Sequence, residues 1–206
     1  MPTIIHHKVC PLCQSAAIGH EMTVRDYSIS GKSFPLWRCA ACDFLFTQDA
    51  PTPEEAGAYY AGEEYISHSD NKEGIVNKIY HHARDFMLSQ KHALVERMTQ
   101  GNRLLDYGTG TGYFTDFMVR KGYAAEGIEI DEQARNYGRE KFGITINAPE
   151  QLFTGFGVDT FDAITLWHVL EHLYDPGKYL ARFHEILADR GVLIIAVPNH
   201  KSKDAA

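Results

Sequence analysis

The stretch Leu104-Leu-Asp-Tyr-Gly-Thr-Gly-Thr-Gly112 decides the fold. An apolar run carries Asp106 at its end, and Gly108, Gly110 and Gly112 fill the turn before a helix expected over 112–121. Glycines in such a turn adopt backbone angles closed to other residues and let a ligand lie against the main chain. The spacing G-x-G-x-G differs from the G-x-G-x-x-G of dinucleotide-binding folds. No Gly-Lys-Ser/Thr follows, so the loop is not a P-loop. The next apolar run closes on Glu126-Gly-Ile-Glu-Ile-Asp131, which sets Glu129 19 residues after Gly110. An acid at the end of a second strand accepts hydrogen bonds from both ribose hydroxyls and disfavours a 2′-phosphate.

Working outward, strands and helices alternate. The hydrophobic pattern predicts strands at 103–107, 124–130, 144–146, 161–167 and 191–197. Helices are expected at 112–121, 132–142 and 176–187. A longer helix over 74–98 precedes them, with Ile75, Ile79, Phe86, Leu94 and Val95 at roughly helical spacing. Alternation of this kind gives βαβ units, a parallel sheet and right-handed crossovers.

As a set, these features resemble the class I S-adenosylmethionine-dependent methyltransferases. Asp106-x-Gly108-x-Gly110-x-Gly112 is similar to their first motif and Glu129 to their ribose-binding acid. The stretch 161–172, Phe-Asp-Ala-Ile-Thr-Leu-Trp-His-Val-Leu-Glu-His, is similar to their fourth strand and the loop after it. The resemblance implies an α/β, Rossmann-like sheet of order 3-2-1-4-5. It also implies a cofactor pose. Gly108 and Gly110 would run beside the methionine part and ribose, with Gly112 closing the turn. Asp106 would fix the loop or the cofactor's amino group. Glu129 would hold the ribose hydroxyls, and Ile130 would pack on adenine. Where the family often has an acid near the adenine amino group this chain has Ala148, which leaves Glu150, Asn147 or backbone atoms to take that part.

The four cysteines are Cys10, Cys13, Cys39 and Cys42, two C-x-x-C pairs separated by 25 residues. Two knuckles at this spacing suit one tetrahedral zinc held by four thiolates, with no open position for water and therefore a structural role. Disulfides are disfavoured in a chain without a secretion signal. Residues 34–38 and 43–47 read as short strands of a zinc ribbon. The module is similar to the zinc-binding domain found ahead of some sugar C-methyltransferases. The division expected is a zinc ribbon at 1–50, a linker or lid at 51–73 carrying Tyr59, Tyr60 and Tyr65, and a cofactor-binding domain at 74–206.

His168-Val-Leu-Glu-His172 admits three readings. As a string it matches the inverted zinc-protease motif, but it follows a strand, at the sheet edge where open α/β folds bind ligands. In some relatives that the resemblance brings in, an E-x-x-E-H version binds a divalent cation; here His168 stands at the first position. In the third reading, Glu171 and His172 brace the following helix. We take His168 to face the acceptor, where a neutral imidazole accepts the proton released as the methyl transfers.

Composition sets the outer limits. The chain has 206 residues and a formal net charge of −7, against a general nucleic-acid binder. Residues 10–47 hold only Arg25, Lys32 and Arg38 as cations, so the ribbon is not expected to bind nucleic acid either. No apolar run reaches the length of a membrane span, and the N-terminus lacks a signal-peptide core, so a cytoplasmic protein without membrane contact is expected. The partner is a small-molecule or sugar-like acceptor. A non-catalytic binding scaffold and an NAD-dependent oxidoreductase are the alternative functions. The chain is short for the resemblance, with five strands where that family has seven, its final hairpin absent. Strand 191–197 would be an apolar sheet edge of the kind proteins avoid leaving bare. Either the chain is truncated, or a second copy or the N-terminal module covers that edge.

Overall fold

In the computed structural model, residues 4–27, 29–59, 75–199 and 202 are described. The chain forms two compact units, Met1–Glu73 with Tyr174–Gly177, and Gly74–Leu173 with Lys178–Ala206.

In the first unit, β1 (Ile4–Ile5) pairs antiparallel with β5 (Ala50–Pro51). A second sheet joins β2 (Ile18–Arg25), β3 (Ser33–Cys39) and β4 (Leu45–Thr47) in that order. The strands at 34–38 and 43–47 were expected; β2 was not. Nearly all of β2 is exposed, so it lacks the alternation that marks a half-buried strand. The short helix α1 (Pro53–Ala56) follows. Tyr60 and Tyr65 of the expected lid lie outside the described residues.

The second unit opens with α2 (Ile75–Met98). Its buried stripe runs through Leu88 and Val95, whereas Phe86, expected to face the core, is 62% exposed. Five parallel strands follow: β6 (Arg103–Tyr107), β7 (Ala124–Ile128), β8 (Ile146–Asn147), β9 (Phe161–Trp167) and β10 (Leu187–Ala196). Their order across the sheet is β8-β7-β6-β9-β10, the expected 3-2-1-4-5. The helices between them are α3 (Tyr113–Arg120), α4 (Glu132–Phe142), α5 (Gln151–Thr154) and α6 (Pro176–Ile186).

β6 is central, so Leu104 through Tyr107 are all buried and its sequence reads as a run rather than an alternation. Leu104 and Ala163 pack with Leu88, Val95, Phe114 and Met118 on one face. Leu105, Ile164 and Leu166 pack with Leu152, Phe183 and Ile186 on the other. Full burial of each such aliphatic side chain contributes about 1.5–3 kcal/mol. Arg103 clamps the bottom of the sheet, donating from Nη2 to Asp162 Oδ1 at 2.6 Å and from Nε to Oδ2 at 3.0 Å. α4 starts on Asp131, whose side chain accepts from the Ala134 N–H at 2.9 Å, and stops at Gly143 with φ +68°.

β10 departs from expectation. It begins four residues before the predicted 191 and bulges between Leu187 and Val192. Among the described residues it pairs only with β9, and Ile195 and Val197 are 37% and 48% exposed. No described helix is long and apolar enough to cross a membrane.

Candidate functional site

In an open parallel sheet the connections leave toward opposite faces where the strand order reverses, and a crevice opens there outside the carboxyl ends of the strands, here between β6 and β9. The glycine turn lies there. Gly108, Gly110 and Gly112 have φ of +77°, +57° and +85°, a region that side chains resist. Their surroundings differ. A Cβ on Gly108 would come within 2.3 Å of Val169 Cγ2, and one on Gly112 within 2.7 Å of Ile144 Cδ1. A Cβ on Gly110 would meet nothing within 4 Å. Gly108 and Gly112 are therefore demanded by packing, and Gly110 faces open space where a ligand can touch backbone.

Glu129 closes on that opening. It is 6% exposed, and its Oε2 accepts the Gly110 N–H at 2.7 Å. Oε1 accepts from the N–H groups of Ile130 at 2.9 Å and Asp131 at 3.1 Å. Three of roughly four acceptor positions on the carboxylate are thus filled by backbone, and Oε2 keeps one for a ligand hydroxyl. Ile130, next in sequence, is 79% exposed, an apolar side chain at the crevice rim.

Asp106 lies beneath the turn, 2% exposed. Thr165 donates its hydroxyl to Oδ1 at 2.7 Å, and Thr115 to Oδ2 at 3.4 Å. Thr115 in turn meets the Thr109 hydroxyl at 2.7 Å. Burial pushes the Asp106 carboxyl above the ordinary range, against the pull of these hydroxyls and of the Lys91 charge. The three threonines escaped the sequence reading. The signal for Thr165 is register: in a parallel sheet with Asp106 beside Thr165, a buried acid needs a donor on the neighbouring strand.

The loop after β9 reaches the same turn through Val169, which packs on Gly108. His168 has φ +59°, strain of about 1–3 kcal/mol for a residue that is not glycine. Its N–H donates to the Ala196 carbonyl at 2.9 Å, while its side chain is 65% exposed. Nδ1 stands 3.7 Å from Glu171 Oε1. Leu170–His172 form a 3₁₀ turn rather than one face of a helix, which denies the string the geometry of a zinc protease.

Glu150 sits apart. It is exposed and precedes α5, with no side-chain hydrogen bond to that helix. The Asn147 amide is committed to Glu126 Oε2 at 2.7 Å.

The cysteines form a separate cluster in the first unit. Their sulfurs all lie within 4.8 Å of one another. Cys10 and Cys42 Sγ are 3.7 Å apart, Cys13 and Cys39 Sγ 3.6 Å. Four thiolates at about 2.3 Å from one zinc would stand about 3.8 Å apart. The two loops share one backbone. Gln14 N–H donates to Cys10 O at 3.0 Å, and Asp43 N–H to Cys39 O at 2.9 Å. Cys10 N–H donates to Ser15 O and Cys39 N–H to Phe44 O. Gln14 and Asp43 both take positive φ, +62° and +61°. Each loop thereby turns both of its sulfurs toward one centre, where the set can hold a tetrahedral ion.

A cavity of about 490 Å³ lies elsewhere, lined by Val158, Asp159, His184 and the β10 bulge, and touches none of these residues.

Known proteins match part of this chain. Residues 79–206 match a family described as "Methyltransferase domain". The chain is 32% identical over 114 residues to a protein from Caulobacter sp. (strain K31) named ubiquinone biosynthesis O-methyltransferase, covering 52% of this chain and 45% of that one. A protein of the same name from Cereibacter sphaeroides (strain ATCC 17029) is 34% identical over 115 residues, again 52% and 45%. The chain spans about half the length of the curated relatives it matches. A crystal structure of a SAM dependent methyltransferase from Archaeoglobus fulgidus aligns with a TM-score of 0.50 at 21% identity, covering 58% of this chain and 55% of that one, a likeness of fold.

Proposed function

The chain belongs to the methyltransferase-domain family, and we propose that it binds S-adenosylmethionine and directs methyl transfer to a small-molecule acceptor. The observation that carries the proposal is the Glu129 carboxylate bonded to Gly110 N–H beside the open Gly110 position. The relatives named for ubiquinone biosynthesis act, by that name, as O-methyltransferases and support a small acceptor; a sugar-like one is the other member of that class.

When bound, the cofactor supplies an electrophilic sulfonium methyl. Glu129 would hold a ribose hydroxyl on its spare Oε2 position, and Ile130 would pack on the adenine. Asp106 holds the turn, or the cofactor's amino group, from below. Glu150 is a weaker candidate for the adenine amino group. His168, exposed at the strand end, would take the proton of the attacking group as that group bonds the methyl and the methyl–sulfur bond breaks, its electron pair staying on sulfur. Alignment of acceptor, methyl and sulfur does the larger share of the work. In the first unit, Cys10, Cys13, Cys39 and Cys42 hold one structural zinc. A second copy of the chain against Ile195 and Val197 would cover the outer strand β10.

The test is transfer of a labelled methyl group from S-adenosylmethionine to a panel of small phenols, sugars and carbon acids. Label appearing on an acceptor supports the proposal. Cofactor binding with no transfer across the panel favours a non-catalytic binding protein.

A further inference from the structure

The outer strand of the first unit's larger sheet, β2, has an open edge. Among the described residues β2 pairs only with β3, and residues 19–25 are all exposed. The direction of the main chain along that edge follows from its neighbours. Pro35 has no N–H, and its carbonyl accepts from the Gln48 N–H at 2.8 Å, on the β4 side. Residues opposite one another in an antiparallel pair turn their main chains either toward each other or away. Thr23 stands opposite Pro35, so its N–H and C=O turn to the open edge. The Asp26 N–H donates to Lys32 O at 2.8 Å, toward β3, so Arg25 turns outward as Thr23 does. Met22 and Val24, on one face of the sheet, are 42% and 40% exposed. An edge with exposed apolar side chains is a template for a further strand.

From the charges on this edge we infer that β2 is a dimer interface, pairing antiparallel with β2 of a second copy about a two-fold axis at Thr23. The two three-stranded sheets join as one. Thr23 faces its own copy as a hydrogen-bonded pair, exchanging both N–H···O=C bonds. The same axis sets Met22 against Val24 and Arg25 against Glu21 across the interface, each pair twice. Opposite charges directly across a strand pair are favourable and like charges are not, so the pattern selects its own register. Centring the axis on Val24 would set Met22 against the Asp26 carboxylate, and centring it on Arg25 would oppose two guanidinium groups. The bulge between His20 and Met22 ends the regular pairing at Glu21. Arg25 Nε donates to Gly31 O at 3.0 Å and Glu21 Oε1 accepts from Arg38 Nη2 at 3.1 Å, which holds both side chains beside the strand. The occupant is a second copy rather than an unrelated strand, because this edge is complementary in charge to itself, as an isologous interface requires. It is separate from the β10 edge, which lies in the other unit.

Sedimentation equilibrium of the full chain over a concentration series tests the inference. The parent chain carries Ile195→Lys, which charges the β10 edge and isolates association through β2. One strand pair is a small interface, so the parent should pass from monomer to dimer in the micromolar range. Thr23→Pro removes an N–H that β3 does not use and should weaken the dimer about tenfold or more. Arg25→Glu and Glu21→Arg each set like charges opposite one another and should weaken self-association about tenfold or more. An equimolar mixture of those two variants restores both opposite-charge pairs and should recover the dimer, which misfolded chains cannot do. A parent that stays monomeric at every concentration overturns the inference and leaves the edge to a strand of another protein. A dimer that survives Thr23→Pro overturns it, as does a mixture of the two charge variants that fails to associate.

Discussion

The Glu129 carboxylate accepts the Gly110 N–H at 2.7 Å, so one side chain ties the end of β7 to the open turn after β6. Its other oxygen accepts from Ile130 and Asp131, which leaves the carboxylate no freedom to rotate. Sequence places these residues 19 apart; the parallel pairing of β6 with β7 brings them into contact.

Replacing Glu129 with Gln puts an amide NH₂ against at least one of these backbone donors. Hydrogen bonds to a charged group are worth about 1.5–3 kcal/mol, so Glu129→Gln should weaken S-adenosylhomocysteine about 10- to 100-fold. Calorimetry measures it. Affinity within twofold of the unaltered protein would remove Glu129 from the site.

The three glycines should separate by cause. Gly108→Ala drives a methyl into Val169, so it should lower stability sharply, by about 2 kcal/mol or more in urea unfolding. Gly110→Ala meets open space and carries only the strain of its positive φ, about 1–2 kcal/mol. Its larger loss should be in cofactor affinity. Equal stability losses without loss of binding would mean that the open space at Gly110 holds no ligand.

Metal analysis of the purified protein should find one zinc per chain. Cys39→Ser should lose it, because a hydroxyl does not replace a thiolate in a four-sulfur site. A chelator strong enough to strip the ion should raise proteolysis within residues 1–50 first. Full retention of the ion by Cys39→Ser would contradict a four-thiolate site.

The Arg103 clasp gives a pH signature. Its hydrogen bonds hold the Asp162 carboxyl below the usual carboxylate range. A carboxyl whose folded value is depressed contributes stability that is present above its unfolded value and is lost as pH falls through the folded one. Asp162→Asn should therefore be less stable than the unaltered protein at pH 7. The gap should shrink as pH drops through about 4 and below. A gap that stays constant to pH 2 would show that charge plays no part in the clasp.

Much of this was legible in the chain. Glu132–Phe142 could be bounded from Asp131 as cap and Gly143 as stop, both local signals. The sheet order was legible because a glycine turn, an acid at the next strand end and alternating elements all point to one arrangement. What escaped was set by distant packing. The strand expected at 144–146 forms at Ile146–Asn147, while Ile144 is buried under Gly112. β2 is held by its partner and the cysteine loops rather than by an apolar face of its own. Lys91 carries no signal in the apolar spacing, yet it lies between Leu88 and Val95 on the buried stripe of α2. Glu150 was carried by resemblance alone, and no hydrogen bond ties its side chain to α5.

The central claim is that the crevice beside Gly110 and Glu129 takes S-adenosylmethionine. Titrating S-adenosylhomocysteine and NAD separately into the protein tests it most directly. The account predicts micromolar-range binding of S-adenosylhomocysteine, abolished or greatly weakened in Glu129→Gln, and no heat from NAD. Binding of NAD with none of S-adenosylhomocysteine would contradict it.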